Sequence, residues 1–168
     1  MRRVVRHIVS NTGPLISLEK LNQGYDFIRC LYDKLIIPPA VLNEVVEGQF
    51  ENPQDYLNHH NIIDLIEIRP VSQPLALPEA ERLHDGEIQA IQLALELQLP
   101  LLIEETVGRR VAQRAGVQIS GIAGQIIAAF RQNSISETDA RNKLNELFLS
   151  GRINQKIYDT LLPSLSPS

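Results

Sequence analysis

The chain has 168 residues and a mass of 18.9 kDa, with 43% apolar and 21% charged residues, a size and balance that suit one domain with a full core and leave too little for two. Sixteen basic against 20 acidic residues give a formal charge of −4, which excludes coating nucleic acid through bulk positive charge but not an acidic metal site with a local basic rim. The single cysteine, Cys30, excludes an intrachain disulfide, no Cys/His spacing resembles a zinc site, and no window approaches the ~18 apolar residues of a membrane span, so a cytoplasmic protein with no membrane contact is expected.

The N-terminal run Val4 to Ser10 is rich in β-branched residues and reads as a strand, because Arg6 and His7 interrupt any signal-peptide core. Asn11-Thr-Gly-Pro turns it into a helix that reaches about Leu21, with Pro14 in its first turn. A helix over Tyr25 to Tyr32 leads to the strand Lys34 to Ile37, and Pro38-Pro39 opens the helix Ala40 to Glu47, closed by Gly48. A short helix, Gln54 to His60, precedes a strand from Ile62 to Ile68, and Pro70, Pro74 and Pro78 mark an exposed loop.

Asp85 is placed to cap a helix, Gly86 to Gln98, in which Ile88, Ile91, Ala94 and Leu95 repeat at helical spacing. The strand Leu101 to Ile103, the helix Val107 to Ala115 and the strand Val117 to Ile119 complete the third of three successive βα units, which imply a parallel sheet with right-handed crossovers. Three helices follow: Gly121 to Gln132, one opened by Ser136 and ending at Ser150, and one capped by Asn154 and ending at Leu162. The chain thus reads as one domain over residues 1–162 with a tail, 163–168, expected to fray.

Ligands of open parallel sheets bind beyond the carboxyl ends of the strands. Asn11 and Glu104 follow strands, while Glu44 and Glu87 lie in helices that begin at the same edge, and Glu105 adjoins Glu104. An oxygen-only set of this kind selects Mg²⁺ or Mn²⁺ over zinc. Each residue also has an ordinary reading: Glu44 as a solvated helix face, Glu87 as a first-turn carboxylate stabilised by ~0.3–1 kcal/mol at the helix dipole, Glu104 and Glu105 as polar residues ending a buried strand. Order and strand-end placement give the group its weight.

Four segments carry a resemblance: Ser10-Asn-Thr-Gly-Pro-Leu-Ile-Ser-Leu, Ile36-Ile-Pro-Pro-Ala-Val-Leu-Asn-Glu-Val, Asp85-Gly-Glu-Ile-Gln-Ala-Ile-Gln-Leu-Ala and Leu101-Leu-Ile-Glu-Glu-Thr-Val-Gly-Arg-Arg-Val-Ala. In this order they resemble the successive motifs of PIN-domain proteins, in the bacterial and archaeal branch of PIN-like predicted nucleic-acid-binding proteins, and the similarity runs over roughly residues 4 to 160. It implies a three-layer α/β/α sandwich around a parallel sheet and a Mg²⁺- or Mn²⁺-dependent endoribonuclease, with single-stranded or structured RNA as substrate. It further implies the toxin role of a toxin–antitoxin pair, an antitoxin partner and a homodimer, for which the apolar helices after Gly121 offer an interface.

Carried over motif by motif, Asn11, Glu44, Glu87 and Glu104 take the four acidic catalytic positions, and Glu105 joins them as a metal ligand. Asp85 is auxiliary, Thr12 and Arg109 are substrate-binding candidates, and Arg109 has an ordinary alternative as an ion pair with Glu105. Two positions depart from the family pattern, Asn11 and Glu104, where active members generally use Asp. The first departure removes a charge, and the resemblance therefore also admits a catalytically impaired protein that acts by binding protein or RNA. Carboxylates gathered without a cation are expected to raise one another's pKa values, so that metal binding releases protons and stabilises the fold.

A phosphotransfer or nucleotide-binding α/β domain fits less well, since the chain lacks both a Gly-x-x-x-x-Gly-Lys-Ser/Thr loop and a Gly-x-Gly-x-x-Gly turn. Cys30, among Phe27, Ile28 and Leu31, reads as a buried apolar residue. His59 and His60 are adjacent and cannot share one ligand from a helix, and His84 stands next to Asp85.

Overall fold

A computed structural model describes residues 5–166 of the chain. Five short parallel strands form one sheet: β1 (His7–Ser10), β2 (Lys34–Ile37), β3 (Ile66–Ile68), β4 (Leu101–Leu102) and β5 (Ile119–Ser120), in the order β3-β2-β1-β4-β5. Val9 lies beside both Ile36 and Leu101, which fixes β1 at the centre. Helices cover both faces in an α/β/α arrangement, and the strands accordingly read as continuous apolar runs, with Ile8, Val9, Leu35, Ile36, Ile37, Leu101 and Leu102 all buried.

The helices are α1 (Thr12–Lys20), α2 (Gly24–Arg29), α3 (Pro39–Val46), α4 (Pro53–His59), α5 (Asp85–Leu97), α6 (Thr106–Arg114), α7 (Ile122–Arg131), α8 (Glu137–Leu149) and α9 (Gln155–Leu161). Strand numbering rises from β1 to β3 on one side and from β4 to β5 on the other, so the topology reverses between β1 and β4. A crevice opens at such a reversal, and the residues that follow β1 and β4 border it.

Several expectations need correction. The strand expected from Ile62 is confined to Ile66–Ile68, because Asn61 adopts φ 55° and Ile62 to Leu65 turn on local bonds, with Leu65 and Ile66 N–H both donating to the Ile62 carbonyl. The first half of the strand expected from Val4 partly lies outside the described residues, and β1 begins at His7. The segment expected to fray from Pro163 forms a 3-10 turn over Leu162–Leu165 that buries Leu165 in the core, while residues 167–168 lie outside the described part. Cys30 is exposed at the end of α2 rather than buried. Of the helices after Gly121, α7 offers no free apolar face for the expected dimer: Ile122, Ile126, Ile127 and Ala129 are buried within this chain and α7 packs on α8 and α1. No helix among the described residues is long and apolar enough to cross a membrane.

Candidate active site

At the topological reversal a cavity of about 320 Å³ is lined by Asn11, Thr12, Gly13, Glu44, His84, Glu87, Glu104, Glu105 and Arg152. Asn11 comes from the end of β1, Glu44 from α3, Glu87 from the first turn of α5, and Glu104 and Glu105 from the turn between β4 and α6. The sequence-predicted acidic residues therefore share one wall. Asp85 does not: it is exposed in the first turn of α5 and is not part of the cavity lining.

Each acidic side chain is held by groups the fold brings to it. Glu44 accepts a hydrogen bond from the Thr12 hydroxyl at 2.6 Å and another from the Gly86 N–H at 3.0 Å, which ties α3 to the starts of α1 and α5. Thr12 thus orients a carboxylate through its hydroxyl while lining the cavity. A side chain at position 86 has no room, since a Cβ there would lie 2.6 Å from both Glu44 oxygens. Asn11 is 5% exposed, and its amide oxygen accepts the Thr12 N–H at 2.6 Å, so it caps α1.

Glu87, 6% exposed, bonds back through Oε1 to the His84 N–H at 3.2 Å, the reciprocal half of a capping box in which His84, not Asp85, is the N-cap residue. Its other oxygen, Oε2, is buried with no protein donor. Its neighbour is the Glu105 carboxylate, and neighbouring carboxylates disfavour one another's charge. Burial, and then the neighbouring Glu105 carboxylate, push the Glu87 carboxyl up from its ordinary value. Burial also works against the Glu105 charge, but the Gly108 and Val107 N–H groups at the start of α6, at 2.8 and 3.1 Å, outweigh it and hold Glu105 below the usual carboxylate range.

Glu104 is the most heavily engaged of the four. Its Oε1 accepts from the Ser17 hydroxyl at 2.7 Å and lies 3.3 Å from Arg152 Nη2, and its Oε2 accepts the Ile122 N–H at 3.1 Å. Arg152 in turn donates to Ser17 Oγ at 2.9 Å and to the Gly13 carbonyl at 3.0 Å. Neither Ser17 nor Arg152 was expected in the site. Arg152 lies 48 residues from Glu104 and 135 from Ser17 in the chain, in the turn between α8 and α9, and no local spacing marks it. Arg109 forms no ion pair with Glu105; its Nη1 donates to the Ile103 carbonyl at 2.8 Å, and it does not line the carboxylate cavity. Arg110 and Arg114 instead bind Glu79 at 3.1 and 3.2 Å, fastening the proline-rich loop to α6.

The donor set of carboxylates and one amide oxygen suits a hard divalent cation. Among the described residues, however, no three His, Cys, Asp or Glu side chains come together in a group ready to hold one. Two observations explain both facts. Glu87 Oε2, buried without a protein donor beside Glu105, is an acceptor a cation would satisfy, whereas Glu104 is engaged by Arg152, Ser17 and the Ile122 N–H. As they stand these side chains are not gathered into a group that holds a cation, and Glu104 would have to leave Arg152 to join one.

No curated protein matches the chain. Among solved structures it is similar to a PilT N-terminus domain protein from the hyperthermophilic archaeon Sulfolobus solfataricus P2, with 19% identity and a TM-score of 0.49 over 69% of this chain and 86% of that one. A PIN-domain family model matches residues 7–167, nearly the whole length, and the chain therefore belongs to the PIN-domain family.

Proposed function

We propose that this PIN domain is a divalent-metal-dependent endoribonuclease acting on single-stranded RNA at the cavity between β1 and β4. The observation that carries this reading is Glu87, whose buried, unpartnered oxygen lies against Glu105 in a cavity also lined by Glu44, Glu104 and Asn11. Glu44, Glu87 and Glu105 would hold Mg²⁺ or Mn²⁺, with the Asn11 amide oxygen as a neutral neighbour. When bound, such a cation supplies a low-pKa water and offsets charge on the scissile phosphate. Thr12 and the Gly86 N–H keep Glu44 aimed, and the Val107 and Gly108 N–H groups of α6 keep Glu105 in place. Arg109, in the groove that adjoins the cavity through Glu104 and Arg152, retains Nε and Nη2 for a phosphate.

Incubation of a fluorescent single-stranded RNA with Mn²⁺ tests the reading. Cleavage by the wild type that falls to background in Glu87→Gln is expected, and cleavage that survives this change would remove the cavity as the site.

A second reading, a PIN domain that binds RNA without cutting it, is favoured by the neutral Asn11 and by the Arg152 contact with Glu104. It predicts an inert wild type and cleavage by Asn11→Asp.

A further inference from the structure

Beside the carboxylate cavity, and sharing Glu104 and Arg152 with it, lies a second groove of about 460 Å³ between the start of α7 and α9. Its walls are aliphatic, with Ile119 and Ala123 from one side and Ile153 and Ile157 from the other. Gly121 and Gly124 leave its floor open: a Cβ at 121 would press on Glu104 Cγ at 3.4 Å and one at 124 on Ser120 Oγ at 3.0 Å. Ile157 is 42% exposed on the lip, an apolar side chain unpartnered by the fold.

We propose that this groove seats one nucleobase of the single-stranded nucleic acid whose phosphate lies on the carboxylate cavity. The inference rests on the nuclease or RNA-binding reading of that cavity and adds a base subsite to it. Three observations select a base. The groove adjoins the carboxylate cavity at Glu104 and Arg152, so a nucleotide next to one whose phosphate lies there is within its reach. Arg109 stands on its rim with Nε and Nη2 free of protein acceptors among the described residues, a cation suited to the adjoining phosphate. Between the aliphatic walls are the Ser120 hydroxyl, which keeps an unused lone pair, and the Thr106 hydroxyl, which has no protein partner among the described residues; these are groups that can meet the polar edge of a planar ring. The volume lies within the ~300–1,000 Å³ usual for small-ligand sites.

The test is fluorescence anisotropy with a labelled single-stranded oligoribonucleotide, Ca²⁺ replacing Mg²⁺ so that cleavage does not intervene. A series in which one abasic nucleotide is moved along the strand is measured beside the intact strand. With wild type, one abasic position is expected to weaken binding about tenfold, a change of ~1.4 kcal/mol. Ala123→Phe, which fills the groove, should weaken the intact strand by a similar factor and abolish the dependence on that position. Ile157→Asp on the exposed lip should do the same, and circular dichroism confirms that either variant is folded. RNA binding that is lost in Glu44→Gln but unchanged in both groove variants would overturn the base subsite while leaving the carboxylate reading intact, and would leave the groove to a protein partner. No binding by the wild type, with or without a divalent cation, would overturn both.

Discussion

At the scale of single residues the site is governed by how its negative charge is compensated. Arg152 is a cation tethered 3.3 Å from Glu104, with both side chains largely buried, at 27% and 18% exposure. It supplies in cis part of the compensation that a bound cation would give. Arg152→Gln removes a charge-assisted contact, and with it about 1–3 kcal/mol of stability in metal-free protein. The same change frees Glu104 for ligation. Isothermal titration should then show Mn²⁺ binding tightened by roughly fivefold, a gain of ~1 kcal/mol, and thermal denaturation should show a larger Mn²⁺-induced rise in Tm than in wild type. A purely structural Arg152 would lower the Tm by the same amount with and without Mn²⁺. The sequence made Asn11, Glu87, Glu104 and Glu105 legible because each follows a strand or opens a helix at one sheet edge, and Glu44 because its helix begins at that edge. It left Arg152 and Ser17 hidden because their contacts join segments far apart in the chain.

At the scale of elements, capping and backbone approach decide what local pattern alone leaves open. Ser136 and Asn154 cap α8 and α9 as their sequence positions indicate, through the Asp139 and Ile157 N–H groups at 3.1 and 2.8 Å. The start of α5 was harder to read, since His84 is a weak capping residue by type and is made one by the reciprocal bond from Glu87. The entry to α2 shows a constraint that no periodicity reports. A Cβ at Gly24 would overlap the Leu18 carbonyl, so the glycine is required by the close approach of α2 to the end of α1. Gly24→Ala would normally favour a helix by up to ~1 kcal/mol. Here the overlap dominates, and the expected outcome is a loss of about 1–3 kcal/mol, read as a lower urea midpoint at unchanged slope. Because α1 carries Thr12 and Ser17, a shift of α1 would also loosen Glu44 and Glu104, and Mn²⁺ titration of the same variant checks this.

At the scale of the whole molecule, the order of strands and helices points to the candidate site, because the cavity lies where the winding of the parallel sheet reverses. What the order could not reveal is how polar groups buried elsewhere set the dependence of stability on pH. Behind α1, Glu19 lies 3.5 Å from His60 Nε2, while the Tyr25 and Tyr56 hydroxyls share a hydrogen bond of 2.6 Å. Read as an ion pair, Glu19 and His60 would stabilise each other's charges. Burial opposes both: it raises the Glu19 carboxyl above 4.5 and lowers the His60 imidazole below 6.5, so the neutral forms are the ones the fold prefers. The signs follow by linkage. A raised carboxyl contributes stability that is complete below 4.5 and is lost as pH rises through its folded-state value. A lowered imidazole contributes stability present above 6.5 and lost as pH falls through its own folded-state value. Glu19→Gln keeps the shape of the side chain and removes the charge. Its Tm should equal that of the wild type in acid and exceed it at neutral and alkaline pH, the gap opening above pH 4.5. Thermal scans across pH decide between the two accounts, because an ion pair would make Glu19→Gln less stable than wild type between the two titrations, the window in which both groups would be charged.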